Sequence, residues 1–149
     1  YHVTVMITLG LLTTMYIYFL DKIRIVSDNS KLHFVNRYQT WARAERDCLS
    51  LGAQLASVHS FLEHHQIQNL ISESGGGNQE TWIGASDAEE NSIWFWSDGR
   101  IFQFTNWCGG QPNNAGGKQS CVVMNYSVNT CWNDEQCTAS RPYVCVKKL

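Results

Sequence analysis

Six cysteines constrain this chain more than any other feature: Cys48, Cys108, Cys121, Cys131, Cys137 and Cys145, five of them in the last 42 residues. None forms a C-x-x-C pair and no histidine lies near the cluster. That pattern argues against zinc, whose Cys and His ligands recur at short spacings. An even cysteine count downstream of an apolar N-terminus reads as three disulfides formed in an oxidising compartment. Six cysteines allow fifteen pairings, and spacing alone does not choose among them.

The 149 residues suffice for one domain with its own core. A formal charge of -2, with no basic run longer than Lys147-Lys148, gives no electrostatic case for nucleic acid. Six Trp, six Tyr and six Phe argue for a packed core over disorder. Residues 1–20 carry no Asp, Glu, Lys or Arg. This segment fits the remnant of a signal peptide or a signal-anchor helix, and its Thr and β-branched content also fits a buried strand pair. All three readings are compatible with a main domain outside the cytoplasm, with membrane contact only through residues 1–20 if they are retained.

Residues 32–39 alternate loosely and predict a strand. Thr40 then stands as an N-cap ahead of Trp41, Ala44, Cys48 and Leu51, which share one helical face, and Gly52 stands where a C-cap glycine belongs. Ser60 and Glu63 form a capping-box pattern for a second helix, with Ile67, Leu70 and Ile71 at core spacing and Gly75-Gly76-Gly77 ending it. Short β-like pieces follow at 81–85, 93–97, 121–126 and 142–146, between Gly/Asn/Asp-rich loops. Two helices followed by strands predict an α+β domain, with helices beside an antiparallel sheet. The long polar stretch 105–120 is where a binding site is expected.

Within and beyond that stretch, Gln111-Pro112-Asn113 and Trp132-Asn133-Asp134 each offer a pair of side-chain oxygens. Ligation by amide and carboxylate oxygens alone suits Ca²⁺, whereas zinc or copper would ask for His or Cys. Of these four side chains only Asp134 carries charge.

Trp41 with Ala44, Glu45 and Cys48, then Leu55-Ala56-Ser57-Val58-His59-Ser60, Trp82-Ile83-Gly84, Trp107, Gln111-Pro112-Asn113, Cys121, Trp132-Asn133-Asp134, Cys137 and Cys145 occur in order. Together they resemble a C-type lectin-like domain over roughly residues 32–149. The resemblance implies a double-loop fold, two helices beside small antiparallel sheets, with Cys48–Cys145 closing the domain and Cys121–Cys137 tying the loop region. It leaves Cys108 and Cys131 to pair with each other. With Trp94-Phe95-Trp96 and Phe104-Thr105-Asn106-Trp107-Cys108, that pair is similar to fish lectin-like chains, including type II antifreeze proteins. Two further cysteines of those antifreeze chains fall near Ala88 and Ser120 and are missing here. The family's long form carries a cysteine pair ahead of the first strand; Asp21–Leu32 has none, so residues 21–31 are expected to be a linker or an atypical first strand.

Carried over residue by residue, the resemblance implies a Ca²⁺ and sugar site at Gln111, Asn113, Gln119, Asn133 and Asp134. Family members that hold calcium well supply about three carboxylates, and here Asp134 is the only one. The expected affinity is at or beyond the weak end, about 10⁻⁴–10⁻³ M. A second calcium position would fall on Asp87, Asn91, Asn114 and Ser120, again with one carboxylate, and is expected to be empty. Glu135 follows Asp134 along a strand and is expected on the opposite face. Gln-Pro-Asn is a hybrid of the mannose-type Glu-Pro-Asn and galactose-type Gln-Pro-Asp motifs and decides no sugar preference.

His59, His64 and His65 read as a solvated face around the second helix start. Trp94 and Trp96 read as core, with Phe95 on the other face. Asn125-Tyr126-Ser127 is a sequon in form on an inner strand. No nucleophile-elbow signature is present, and the chain reads as a non-enzyme. The expectation is a secreted or membrane-anchored extracellular module that binds carbohydrate or glycoprotein with weak or absent calcium dependence. The alternatives are an ice-binding protein and a calcium-independent protein-interaction module.

Overall fold

A computed structural model describes residues 23–26 and 30–149. The expectation for residues 1–20 lies outside them, as does most of that for residues 21–31. Within the latter, Ile23–Val26 forms a strand, β1, antiparallel to β2 (Ser30–Gln39).

Helix α1 (Trp41–Ser50) starts where Thr40 caps it, its hydroxyl accepting the Arg43 N–H. It ends at Gly52, whose φ of 69° suits glycine, while the Ala53 N–H closes back onto the Cys48 carbonyl. Ala44 and Cys48 are buried as their spacing predicts. Leu51 is not: it lies past the last helical turn, 51% exposed, instead of continuing the apolar face. Strand β3 (Gln54–Leu55) follows. Helix α2 (Phe61–Ile71) has the predicted cap, with Ser60 Oγ accepting the Glu63 N–H at 3.1 Å. The Glu63 carboxylate reaches back to the His59 N–H at 2.7 Å, one residue earlier than the standard box. The helix unwinds through a wider turn at Ser72–Gly76, within the glycine run.

The strands β4 (Thr81–Ser86), β5 (Phe95–Trp96), β6 (Gln119–Tyr126), β7 (Cys131–Gln136) and β8 (Arg141–Lys148) complete one sheet in the order β1-β2-β8-β4-β6-β7. β3 pairs with β8, and β5 with β4. The pairings are antiparallel except where β4 meets β8 in parallel at Trp82 and Tyr143, so the sheet is mixed.

Both faces of this sheet are covered, which is why β4 is buried at five of its six positions and β6 and β8 are buried continuously through their middles. The two-residue period sorts their side chains into two cores. Trp82, Val123, Tyr143 and Cys145 pack with Ala44 and Cys48 of α1. Ile83, Val122, Met124 and Val144 pack on the other side with Ile67, Leu70 and Ile71 of α2. Phe102, Phe104 and Trp107, from the long loop between β5 and β6, cover this second core around Trp132, and Trp94, just before β5, packs against Phe102 and Trp107.

The disulfides are Cys48–Cys145, Cys108–Cys131 and Cys121–Cys137. The first spans 97 residues and joins α1 to β8. The second ties the stem of the long loop to the start of β7.

Candidate functional site

The long loop docks on β7 before any side chain reaches a ligand. Cys108 N–H donates to the Trp132 carbonyl at 2.9 Å and Trp132 N–H to the Asn106 carbonyl at 2.8 Å, so the stem runs beside β7 as a short parallel bridge. Cys108–Cys131 staples the same crossing. The loop then turns through the cis peptide bond Gln111–Pro112.

Asp134 lies beneath this turn, fully buried. Its Oδ1 accepts the backbone N–H of Asn113 at 3.1 Å and its Oδ2 that of Asn114 at 2.6 Å. Charge-assisted bonds of this kind are about twice as strong as neutral ones. They satisfy a buried carboxylate that would otherwise be costly. One carboxylate thus holds two consecutive backbone amides and fixes the turn on the sheet.

Two other predicted ligands, Asn113 and Gln119, also spend their side-chain oxygens on the loop's own backbone. Asn113 Oδ1 and Gln119 Oε1 both accept the Ala115 N–H, at 3.2 and 2.9 Å. Asn114 Oδ1 accepts the Gln119 N–H at 3.0 Å. The structure therefore brings Asn113, Gln119 and Asp134 together through the loop's own backbone. Gln111 and Asn133 do not join this network through any side-chain hydrogen bond among the described residues. Gln111 Oε1 is buried without a partner, and Asn133 is 7% exposed. Glu135 faces away, as expected, its Oε2 taking the Arg141 guanidinium at 2.9 Å.

This donor set fits at most a weak calcium site. A calcium ion wants six to eight oxygens, preferably several charged. Here the one carboxylate is already engaged by two N–H groups, two amide oxygens share a third, and the remaining candidates, on Gln111 and Asn133, are neutral amides. The second position forms a small polar pocket of about 170 Å³, lined by Asp87, Asn91, Ser92, Pro112, Asn113, Asn114 and Asp134. Asp87 Oδ2 accepts the Ser92 N–H at 2.7 Å, and Asp87 Oδ1 is buried without a partner. The Asn114 amide donates to Asn91 Oδ1 at 3.1 Å, tying up another predicted ligand.

The histidine expectation needs correcting. His64 is 2% exposed and belongs to the wall behind the site. Trp132 Nε1–H donates to its Nδ1 at 3.3 Å, and its Nε2 lies 3.2 Å from the Asn106 side-chain amide. Burial, with the adjacent His65 adding repulsion, holds its pKa down at about 4. The ring is therefore neutral at neutral pH, as an acceptor of the indole proton must be. It joins α2 to the tryptophan directly before Asn133-Asp134. Its place at the fourth position of α2, three residues before Ile67, was the available signal: it shares the buried stripe of Ile67 and Ile71. Asn125 is buried as well, its amide donating to the Gln79 carbonyl at 3.4 Å.

The sequence model of the lectin C-type domain matches residues 37–147. Ladderlectin of Oncorhynchus mykiss is 46% identical over 109 residues, covering 73% of this chain but 57% of that protein. The galactose-specific lectin nattectin of Thalassophryne nattereri is 38% identical over 109 residues, covering 73% of this chain and 68% of the relative. Among solved structures, the herring type II antifreeze protein superposes with a TM-score of 0.79 at 30% identity, covering 86% of this chain and 97% of its own.

Proposed function

This chain belongs to the C-type lectin domain family, and we propose that it binds carbohydrate through the long loop without requiring calcium. The observation that carries the proposal is the Asp134 carboxylate bonded to the Asn113 and Asn114 amides. In this reading the protein itself does what a metal would otherwise do, and holds the loop in a binding conformation. The proposed site comprises Gln111, Asn113, Gln119, Asn133 and Asp134. Gln111 Oε1, buried without a partner, accepts a sugar hydroxyl once its side chain turns outward, and the exposed Asn113 offers its amide N–H groups. Asp134 positions them. Any calcium that enters supplies only added polarisation of the hydroxyls.

Support for a carbohydrate ligand comes from the family and from relatives that are lectins by name, one of them galactose-specific. Because the match spans only part of ladderlectin, whole-protein activity and partners are part of the proposal. Three disulfides support residence outside the cytoplasm. A glycan array run with calcium and again with chelator tests the function. The expected result is sugar binding, with a glycoprotein glycan as the natural form, that survives the chelator. Silence on the array under both conditions sinks it.

The likeness to the herring antifreeze protein favours ice as the second reading. Exposed Thr105 and Thr138 are the polar-apolar side chains available to such a surface. Thermal hysteresis together with a silent array would select it.

A further inference from the structure

A second depression, about 400 Å³, lies against α1, away from the residues of the loop site. Its floor follows from strand register. Phe95 of β5 pairs with Ser86 of β4, and Ser86 pairs with Cys121 of β6, so the three side chains stand in a row on one face. The Cys121–Cys137 disulfide closes the row. Trp41 forms the facing wall. It is fixed at both ends, its backbone N–H donating to the Cys137 carbonyl at 3.0 Å and its indole Nε1–H to the Ile83 carbonyl at 2.9 Å. Phe95 also lines the depression, with 56% of its surface in water, although neighbouring Trp94 and Trp96 are drawn into the aromatic core.

The charge that lines this slot is negative. Glu89 is the only charged side chain lining it, and no Lys or Arg does so. Behind the lining Ser97, the half-buried Glu45 carboxylate accepts the Ser97 hydroxyl at 3.2 Å. Polar partners are otherwise few, and Ser86 Oγ is already engaged by the Ala88 N–H at 3.1 Å. A sugar would leave most of its hydroxyls unpaired there, and an anion would meet Glu89. A neutral apolar group would gain nothing from that carboxylate. The occupant that uses every feature is a cation with an apolar shell, since Trp and Phe faces attract such ions and desolvation strengthens the attraction.

We propose that the slot between Trp41 and Phe95 binds a trimethylammonium ion of the choline type, with Glu89 as its counter-charge at the mouth. This site is separate from the lectin loop and does not rest on the loop's ligand.

Calorimetry and tryptophan fluorescence on the full chain, with choline as the probe, test it. The control is 3,3-dimethylbutan-1-ol, which keeps the shape and lacks the charge. Saturable choline binding is expected, with the neutral isostere about tenfold weaker. Phe95→Ala should weaken choline about tenfold, and Glu89→Gln about threefold. Both side chains are exposed, so the fold tolerates these changes. Glycan binding should stay unchanged in both variants. No saturable choline signal, equal affinity for the isostere, or indifference to both substitutions would each overturn the proposal.

Discussion

Asp134 and His64 are single residues on which the site's shape depends, and they act in opposite electrical states. Asp134 is charged and satisfied by two backbone donors. Asp134→Ala leaves those amides unpaired beneath the loop. Chemical denaturation should show a loss of about 3 kcal/mol, accompanied by faster amide exchange at Asn113 and Asn114. His64 is neutral and buried, with its pKa lowered from 6.5 to about 4. A histidine whose folded pKa lies below its unfolded value contributes fully above pH 6.5, because the unfolded chain takes up the proton first. Its contribution then falls as the pH drops, by roughly 3 kcal/mol once pH 4 is passed. Glu45 works against this trend, since burial raises its pKa and acid relieves its strain on the fold. Denaturation followed from pH 7 to pH 4 should therefore show falling stability, and His64→Gln should flatten that slope. The partners of Asp134 and the burial of His64 were not legible beforehand. The motif marks Asp134 as a ligand but carries no sign that its oxygens face backbone N–H groups, and three histidines near a helix start look like a solvated face until tertiary packing covers one of them.

At the scale of elements, the caps and core spacings were the most legible part of the chain because their causes are local. Thr40 and Ser60 cap α1 and α2 as their spacing predicts. Ser60→Ala should cost about 1 kcal/mol, read from a urea titration. The glycine of Trp82-Ile83-Gly84 has a non-local cause. A Cβ on Gly84 would lie 2.7 Å from the Leu55 carbonyl oxygen and 2.9 Å from Ser97 Oγ, so β3 and the end of β5 could not close on β4. Gly84→Ala should accordingly cost more than the cap, about 2–3 kcal/mol by the same measurement. Leu51 shows the limit of periodicity. Its spacing continues the α1 stripe, but the helix has already ended, and the side chain turns to solvent.

For the whole molecule, the disulfides set both stability and site geometry, and only the family resemblance, not the spacing, chose their pairing. Cys48–Cys145 spans 97 residues, so removing both cysteines should cost the most, about 4–5 kcal/mol in the chain-entropy account. Removing Cys108 and Cys131, 23 residues apart, should cost about 3 kcal/mol and also weaken glycan binding, because it frees the loop stem from β7. Thermal melts with glycan affinities measured alongside would separate the two roles. The resemblance likewise pointed to the loop as the candidate site, and counting carboxylates led to the expectation of weak metal binding. The mixed sheet with helices on opposite faces, and the Trp41–Phe95 slot, depend on contacts between distant segments and emerged only with the fold. Asp134, not a cation, holds the candidate loop in place. Calcium titration by calorimetry tests it most directly: a dissociation constant of about 10⁻⁴ M or weaker is predicted, and micromolar binding would contradict it.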